Sequence, residues 1–263
     1  MSPPPDPADD PRLAPFRNLR DRRLRDEGRF IVEGVLAVER LLASDYAVES
    51  IVCTPSQRQR LELDPTRYPV VELPRKQIAA LAGFDFHRGV LACARRPPLR
   101  VELDPWEIAA LGERETLTII AAEGLADPRN LGALVRNAAA FEVDLVVVDA
   151  RGADLLSRLA IRASVGNVFR VPWVVSPELP ATVAQLRREL PAKVLAATPR
   201  AGALGLRGLE APARRVVVVG NEGDGLSASL LALADVEVRI PVAEQSDSIN
   251  VAAATAVLLY ALG

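Results

Sequence analysis

The sequence predicts an α/β protein built on a mostly parallel sheet, and three observations carry that prediction. Short apolar runs alternate with amphipathic helical stretches along most of the 263 residues. Runs such as DLVVVD and VVVV are solidly apolar rather than alternating, as in strands covered on both faces. The strand beginning at Val216 opens into a glycine-rich loop, Gly220-Asn221-Glu222-Gly223-Asp224-Gly225. A second short strand, Val236 to Ile240, runs into Pro241, and a polar loop then feeds a small-residue helix from about Ser248 to the end. Strand ends, glycine loops and helix N-termini leave backbone N–H groups unpaired, and open α/β sheets bind ligands where these cluster. Residues Val216 to Leu262 are therefore the candidate site for a small nucleotide-like ligand.

The totals bound the rest. The chain is long enough for one large or two ordinary domains, and 49% apolar residues support real cores. A net charge of −2 gives no whole-protein attraction to nucleic acid, so any basic surface is local. Nearly all the basic residues are arginine; Lys76 and Lys193 are the two lysines. His87 is the only histidine and Cys53 and Cys93 the only cysteines, which excludes a conventional zinc site, a Ser–His–Asp triad and a Cys–His pair within one chain. No metal is expected. Two isolated cysteines suit a reducing compartment, with one disulfide left open. The start, MSPPPDPADDP, is unlike a signal peptide, and the longest apolar run, Val251 to Leu262, is short of the roughly 20 residues that span a bilayer. A soluble, cytoplasmic protein without a membrane partner is expected.

In order along the chain, residues 1–11 read as a disordered tail. Arg12 to Phe30 is arginine-dense and reads either as a solvated helix balanced by Asp21, Asp26 and Glu27 or as a phosphate-contacting arm. From Phe30 come a strand, a turn at Gly34, an amphipathic helix, the strands ESIVCT and PVVEL, a helix after Pro74 and the strand GVLACAR. Together these make a compact α/β unit over 12–97, with His87 in a turn or packing role. Residues 98–114 read as a linker holding a short helix, WEIAAL.

The second domain spans 115–263 and opens with the strand ETLTIIAAEGL. A helix follows with Asp127 suited to the N-cap and Pro128 to its first position. Arg129 and Arg136 share one face and Asn130 and Asn137 the neighbouring one, either a wet side or a working one. Then come DLVVVD, a helix from Asp154 with Arg158 and Arg162 one turn apart, a strand VFRVPWVV, a helix ELPATVAQLRREL, the strand KVLAAT and an irregular loop. The loop GNEGDGLS lacks the P-loop ending and the G-x-G-x-x-G spacing, and it lies late in the domain, unlike a Rossmann cofactor loop.

Three motifs in order resemble the SpoU/TrmH group of S-adenosylmethionine-dependent RNA ribose methyltransferases, within the SPOUT class. They are DPRNLGALVRNAAAF, VVVVGNEGDGLS and IPVAEQSDSINVAAATAVLLY, with RASVGNVFRVP between the first two. Ile249 stands where leucine is usual and Ala252 where serine is frequent. The N-terminal FIVEG and FHRGVLA are similar to that group's ribosomal-protein-like substrate-binding domain, which points to ribosomal RNA. The resemblance implies a C-terminal trefoil knot, a homodimer and structured RNA as partner. It implies a pocket for S-adenosylmethionine at Thr198, Gly220, Ile240 and Ile249, and catalytic roles for Asn130, Arg136, Glu222, Ser248 and Asn250. A tRNA 2′-O-methyltransferase and a non-catalytic RNA binder of the same fold are the alternatives.

Overall fold

The computed structural model describes residues 10–221, 223–243 and 249–263. The chain begins with α1 (Asp21–Asp26), β1 (Arg29–Glu33), α2 (Val35–Leu42), β2 (Val48–Cys53), α3 (Pro55–Arg60), β3 (Val70–Glu72), α4 (Arg75–Ala82) and β4 (Val90–Arg95). It continues through α5 (Pro105–Gly112), β5 (Leu117–Ala122), α6 (Pro128–Ala140), β6 (Leu145–Asp149) and α7 (Arg158–Ala163). The last elements are β7 (Trp173–Ser176), α8 (Leu179–Glu189), β8 (Lys193–Ala197), β9 (Leu204–Gly205), β10 (Arg214–Val219), α9 (Ala228–Leu231), β11 (Val236–Arg239) and α10 (Val251–Leu262). Two compact units form: one runs to Pro98 and takes in Leu156–Phe169, and the other comprises Leu99–Leu155 and Arg170–Gly263.

The first unit holds a four-stranded sheet in the order β1-β4-β2-β3. Strand β4 is antiparallel to β1 and β2, and β3 is parallel to β2. The arginine-dense stretch is neither one solvated helix nor a free arm. Pro11–Phe16 forms a 3₁₀ turn, and Leu13, Phe16, Leu19 and Leu24 are buried in the unit's core with Ile31, Ile78 and Phe86. Leu13 and Phe16, three apart in the 3₁₀ turn, fall on its inward side, while Arg12 and Arg20 on either side of the buried run are exposed. Cys53 and Cys93 are free and buried in neighbouring strands, and burial pushes their thiols up to about 11 and about 12. His87 is exposed and its Nε2 lies 2.9 Å from Asp85 Oδ2, so it has a turn role with a carboxylate partner, not a packing one.

Helix α7 belongs to this unit and packs on β1. It begins at Arg158 rather than Asp154, because the Ser157 hydroxyl caps it by accepting from Ala160 N–H at 3.3 Å. It ends where Val165 and Gly166 both take positive φ, 54° and 79°. A Cβ on Gly166 would lie 2.8 Å from the Ala37 Cα, so glycine is required there by both backbone and contact. The expected strand VFRVPWVV therefore starts only at Trp173: Asn167–Phe169 is a 3₁₀ turn, and Pro172 has no N–H for a ladder.

The second unit is a seven-stranded sheet in the order β7-β6-β5-β10-β8-β11-β9, with every pairing parallel. Its valine- and leucine-rich strands are buried as the solid apolar runs require. The stretch 98–114 is no bare connector, since Leu103, Ile108 and Leu111 pack against this core. The irregular loop after β8 contributes the two-residue edge strand β9, too short to leave a sequence signal. Among the described residues no helix is long and apolar enough to cross a membrane.

Candidate functional site

Parallel pairing brings the C-terminal ends of β8, β10 and β11 side by side, and a cavity of about 450 Å³ opens there. Thr198, Gly220, Ile240 and Ile249, which come from four separate stretches, all line it. Val219, Val238 and Leu258 give it apolar walls, Gly220, Asn221 and residues 223–226 form one rim, and Arg200 and Asp224 bring one charge of each sign into the lining.

The rim is shaped by close backbone approach. A Cβ on Gly220 would fall 2.3 Å from the Gly225 carbonyl oxygen and 2.8 Å from the Leu226 nitrogen, so any side chain there would force the loop open. The Asn221 side-chain oxygen accepts from the N–H groups of Gly223 and Asp224, each at 2.8 Å, an Asx turn that folds the loop back on itself. At its far end the loop enters α9 through Ser227, whose hydroxyl caps Leu230 N–H at 3.4 Å.

A buried carboxylate anchors that end. Glu123, just past β5, accepts from Ser227 N–H at 2.7 Å through Oε2, and its Oε1 lies 3.4 Å from Arg151. Arg151 is in turn clamped by Asp149, which accepts from its backbone N–H at 2.9 Å and its guanidinium at 2.7 Å. Burial opposes ionisation of Asp149, but the Arg151 hydrogen bonds outweigh it and hold the carboxyl below the usual carboxylate range. The sequence reading passed over Glu123, Asp149 and Arg151. Their signal is an acid at the end of each of two apolar runs, IIAAE and VVVD, where a buried charge needs a partner.

Helices α6 and α10 pack together behind this rim. Asp127 caps α6 by accepting from Arg129 N–H at 2.8 Å, with Pro128 in the first turn, as the sequence indicates. Asn250 caps α10 through Ala252 N–H at 2.9 Å, and its own amide donates to Asn130 Oδ1 at 2.9 Å. Asn137 donates to the Ala252 carbonyl at 2.6 Å. Both asparagines on the polar face of α6 therefore hold the start of α10, a task that explains their presence despite modest helix propensity. Arg136 is exposed on the same helix, and among the described residues it has no ion-pair or hydrogen-bond partner and does not line the cavity. The structure thus brings Asn130 to Asn250, gathers the four cofactor candidates in one cavity, and leaves Arg136 facing outward. Glu222 and Ser248 lie outside the described residues. Among the described residues no group of three or more histidines, cysteines or carboxylates is placed to hold a metal ion.

Residues 117–260 match the profile of the SpoU rRNA Methylase family, and residues 10–92 match the MRM3-like substrate binding domain. An uncharacterized tRNA/rRNA methyltransferase of Mycobacterium bovis is 37% identical over 262 residues, covering 96% of this chain and 88% of the relative. A 23S rRNA (guanosine-2′-O)-methyltransferase of Bacillus subtilis is 30% identical over 233 residues, covering 89% of this chain and 88% of that one. A solved structure of an RNA 2′-O ribose methyltransferase superposes with a TM-score of 0.78 at 29% identity, over 97% of this chain and 96% of the other.

Proposed function

The chain belongs to the SpoU rRNA methylase family of RNA methyltransferases, and on that premise we propose that it methylates a ribose 2′-hydroxyl of ribosomal RNA. The observation that carries the reading is the cavity at the ends of β8, β10 and β11, walled mainly by aliphatic side chains, rimmed by backbone and edged by Arg200 and Asp224. Its residues fit S-adenosylmethionine, the cofactor of this family. A volume of about 450 Å³ falls within the usual range of small-molecule pockets, its aliphatic walls suit the flat face of an adenine, and the Gly220 rim leaves no side chain in the way. Thr198, Gly220, Ile240 and Ile249 hold the nucleoside part in this reading. When bound, the cofactor supplies a methyl group on a positively charged sulfur.

The chain's own residues then bind and orient. Asn130 and Asn250, joined by their hydrogen bond, set the start of α10 against α6; the catalytic roles expected of Glu222 and Ser248 fall outside the described residues. Arg136 faces outward, its guanidinium without a partner among the described residues, suited to gripping an RNA phosphate and fixing the neighbouring 2′-hydroxyl. It does not take the hydroxyl proton, because a guanidinium stays protonated in proteins. These residues would contribute mainly by holding the hydroxyl beside the bound methyl donor, with electrostatic support from the arginine. The first unit, matched by a substrate-binding profile, selects the RNA by shape and exposed loops. In this proposal two copies act as a cytoplasmic homodimer, and the C-terminal segment forms a trefoil knot. The insertion of β10 between β5 and β8 is in keeping with such threading.

Methyl transfer from radiolabelled S-adenosylmethionine to purified ribosomal RNA and to purified tRNA, followed by mapping of the modified nucleotide, tests the reading. Label on a ribose of ribosomal RNA is the expected result. Label on tRNA alone moves the substrate to the alternative class, and label on a base overturns the ribose assignment. Cofactor binding without transfer to either RNA marks a binder of the same fold.

A further inference from the structure

The first unit carries a second cavity, of about 770 Å³, that none of the roles above uses. It is lined by Arg20, Arg23, Arg158 and Arg162, with Glu33 as the one carboxylate among its walls and Phe84 and Leu159 as apolar surface. We propose that this cavity binds the sugar-phosphate backbone of the RNA substrate, with Arg20 and Arg162 as the phosphate contacts. The proposal rests on the RNA-methyltransferase reading and adds to it the place and the residues.

Four guanidiniums around one cavity stand out in a chain whose net charge is −2. They come from two stretches far apart in sequence, the arginine-dense start and α7, so no single solvated helix face accounts for them. Their partners differ in an informative way. Arg158 is held: its Nε donates to Asp21 at 2.7 Å and its guanidinium lies 5.2 Å from the centre of the Phe84 ring. That pair neutralises most of one charge and gives the cavity a fixed wall. Arg23 is half-held, since its Nε is buried without a hydrogen bond, Glu27 stands 3.6 Å away, and its terminal nitrogen reaches the Pro15 carbonyl at 3.3 Å.

Arg162 and Arg20 remain available. Arg162 is exposed and stands 3.8 Å from a Glu33 oxygen that Arg88 approaches more closely, at 3.3 Å. Arg20 is exposed and has no ion-pair partner among the described residues. Glu33 therefore serves two arginines, and the cavity keeps an unbalanced positive charge. A polyanion supplies several phosphates to such a cavity at once and releases counterions as it binds, whereas a single free phosphate engages one or two of the four guanidiniums.

The test compares wild type, Arg20→Ala/Arg162→Ala, and a control with two exposed arginines removed elsewhere in the unit, Arg60→Ala/Arg75→Ala. Each binds a fluorescein-labelled ribosomal RNA fragment in a salt series, and each is titrated with S-adenosylmethionine and with AMP. Losing two contacts at about 0.7–0.9 salt-slope units each lowers the slope by roughly 1.4–1.8 and weakens RNA binding roughly 25- to 60-fold at about 0.1 M salt. Cofactor affinity stays unchanged and the control keeps wild-type RNA binding. Equal RNA affinity and slope in wild type and the Arg20/Arg162 variant overturns the cavity proposal alone. So does AMP binding that the two arginines support while RNA binding ignores them. If wild type binds cofactor and no RNA, the RNA reading itself fails.

Discussion

The two cavities are built by different means. The one in the parallel-sheet unit is mostly backbone and aliphatic walls, with Arg200 and Asp224 as charged lining of opposite sign, and its critical features are places where a side chain is absent, as at Gly220. The one in the first unit is made of long cationic side chains over a small apolar surface. The first, with one charge of each sign in its lining, should be sensitive to single atoms and respond only weakly to salt. The second should tolerate substitutions individually and respond steeply to ionic strength. A sheet end can place backbone N–H groups to within tenths of an ångström, whereas arginines deliver charge at the end of flexible stems.

The largest expected effect is at the rim. Gly220→Ala drives a methyl group into the Gly225 carbonyl, and S-adenosylmethionine binding by calorimetry should fall more than tenfold while RNA binding persists. Overpacking of this kind costs about 1–3 kcal/mol, so the variant should still fold. Undiminished cofactor affinity would erase the distinction drawn between the two cavities.

Next is the anchor. Glu123→Ala removes the acceptor of Ser227 N–H and the partner of Arg151, a charged hydrogen bond worth about 1.5–3 kcal/mol. The unfolding midpoint should drop and cofactor affinity should weaken several-fold, with Glu123→Gln intermediate. A cofactor affinity that stays at the wild-type value would mean the far end of the loop is fixed by other contacts.

Asn250→Ala should cost about 1 kcal/mol as a lost helix cap, and Asn130→Ala less. A double-mutant cycle on stability and on single-turnover methylation should show coupling between them, and strict additivity would remove the Asn130–Asn250 link from the account.

The smallest effect concerns pH. The Asp149 carboxyl is depressed in the folded state, so its stabilisation is complete above the ordinary carboxylate range and is lost as pH falls through the lower, folded value. Asp149→Asn should therefore flatten the acid limb of the stability curve and leave RNA binding alone. An acid limb identical to wild type would place that titration elsewhere.

Much of this was legible in the sequence because it follows from periodicity and punctuation. The solid valine runs gave the buried parallel strands and Asp127-Pro128 gave the start of α6, whereas the gathering of Thr198, Gly220, Ile240 and Ile249 came from the family resemblance and not from the residue pattern. What stayed hidden depends on contacts between distant stretches. The arginine-dense start reads as solvated because charge dominates its composition, although Leu13, Phe16, Leu19 and Leu24 are core. The break after α7 comes from the positive φ at Val165, a residue whose β-branched side chain argues against that conformation locally. The task of Asn137 appears only when the Ala252 carbonyl arrives 115 residues later.

The most direct measurement of the central contrast is a pair of titrations on the wild-type protein, one with S-adenosylmethionine and one with ribosomal RNA, each at low and high salt. The account predicts one cofactor per chain with an affinity that barely moves, while RNA affinity falls at least tenfold for about two phosphate contacts over a decade of salt. No cofactor binding, or a cofactor affinity that falls in step with that for RNA, would contradict it.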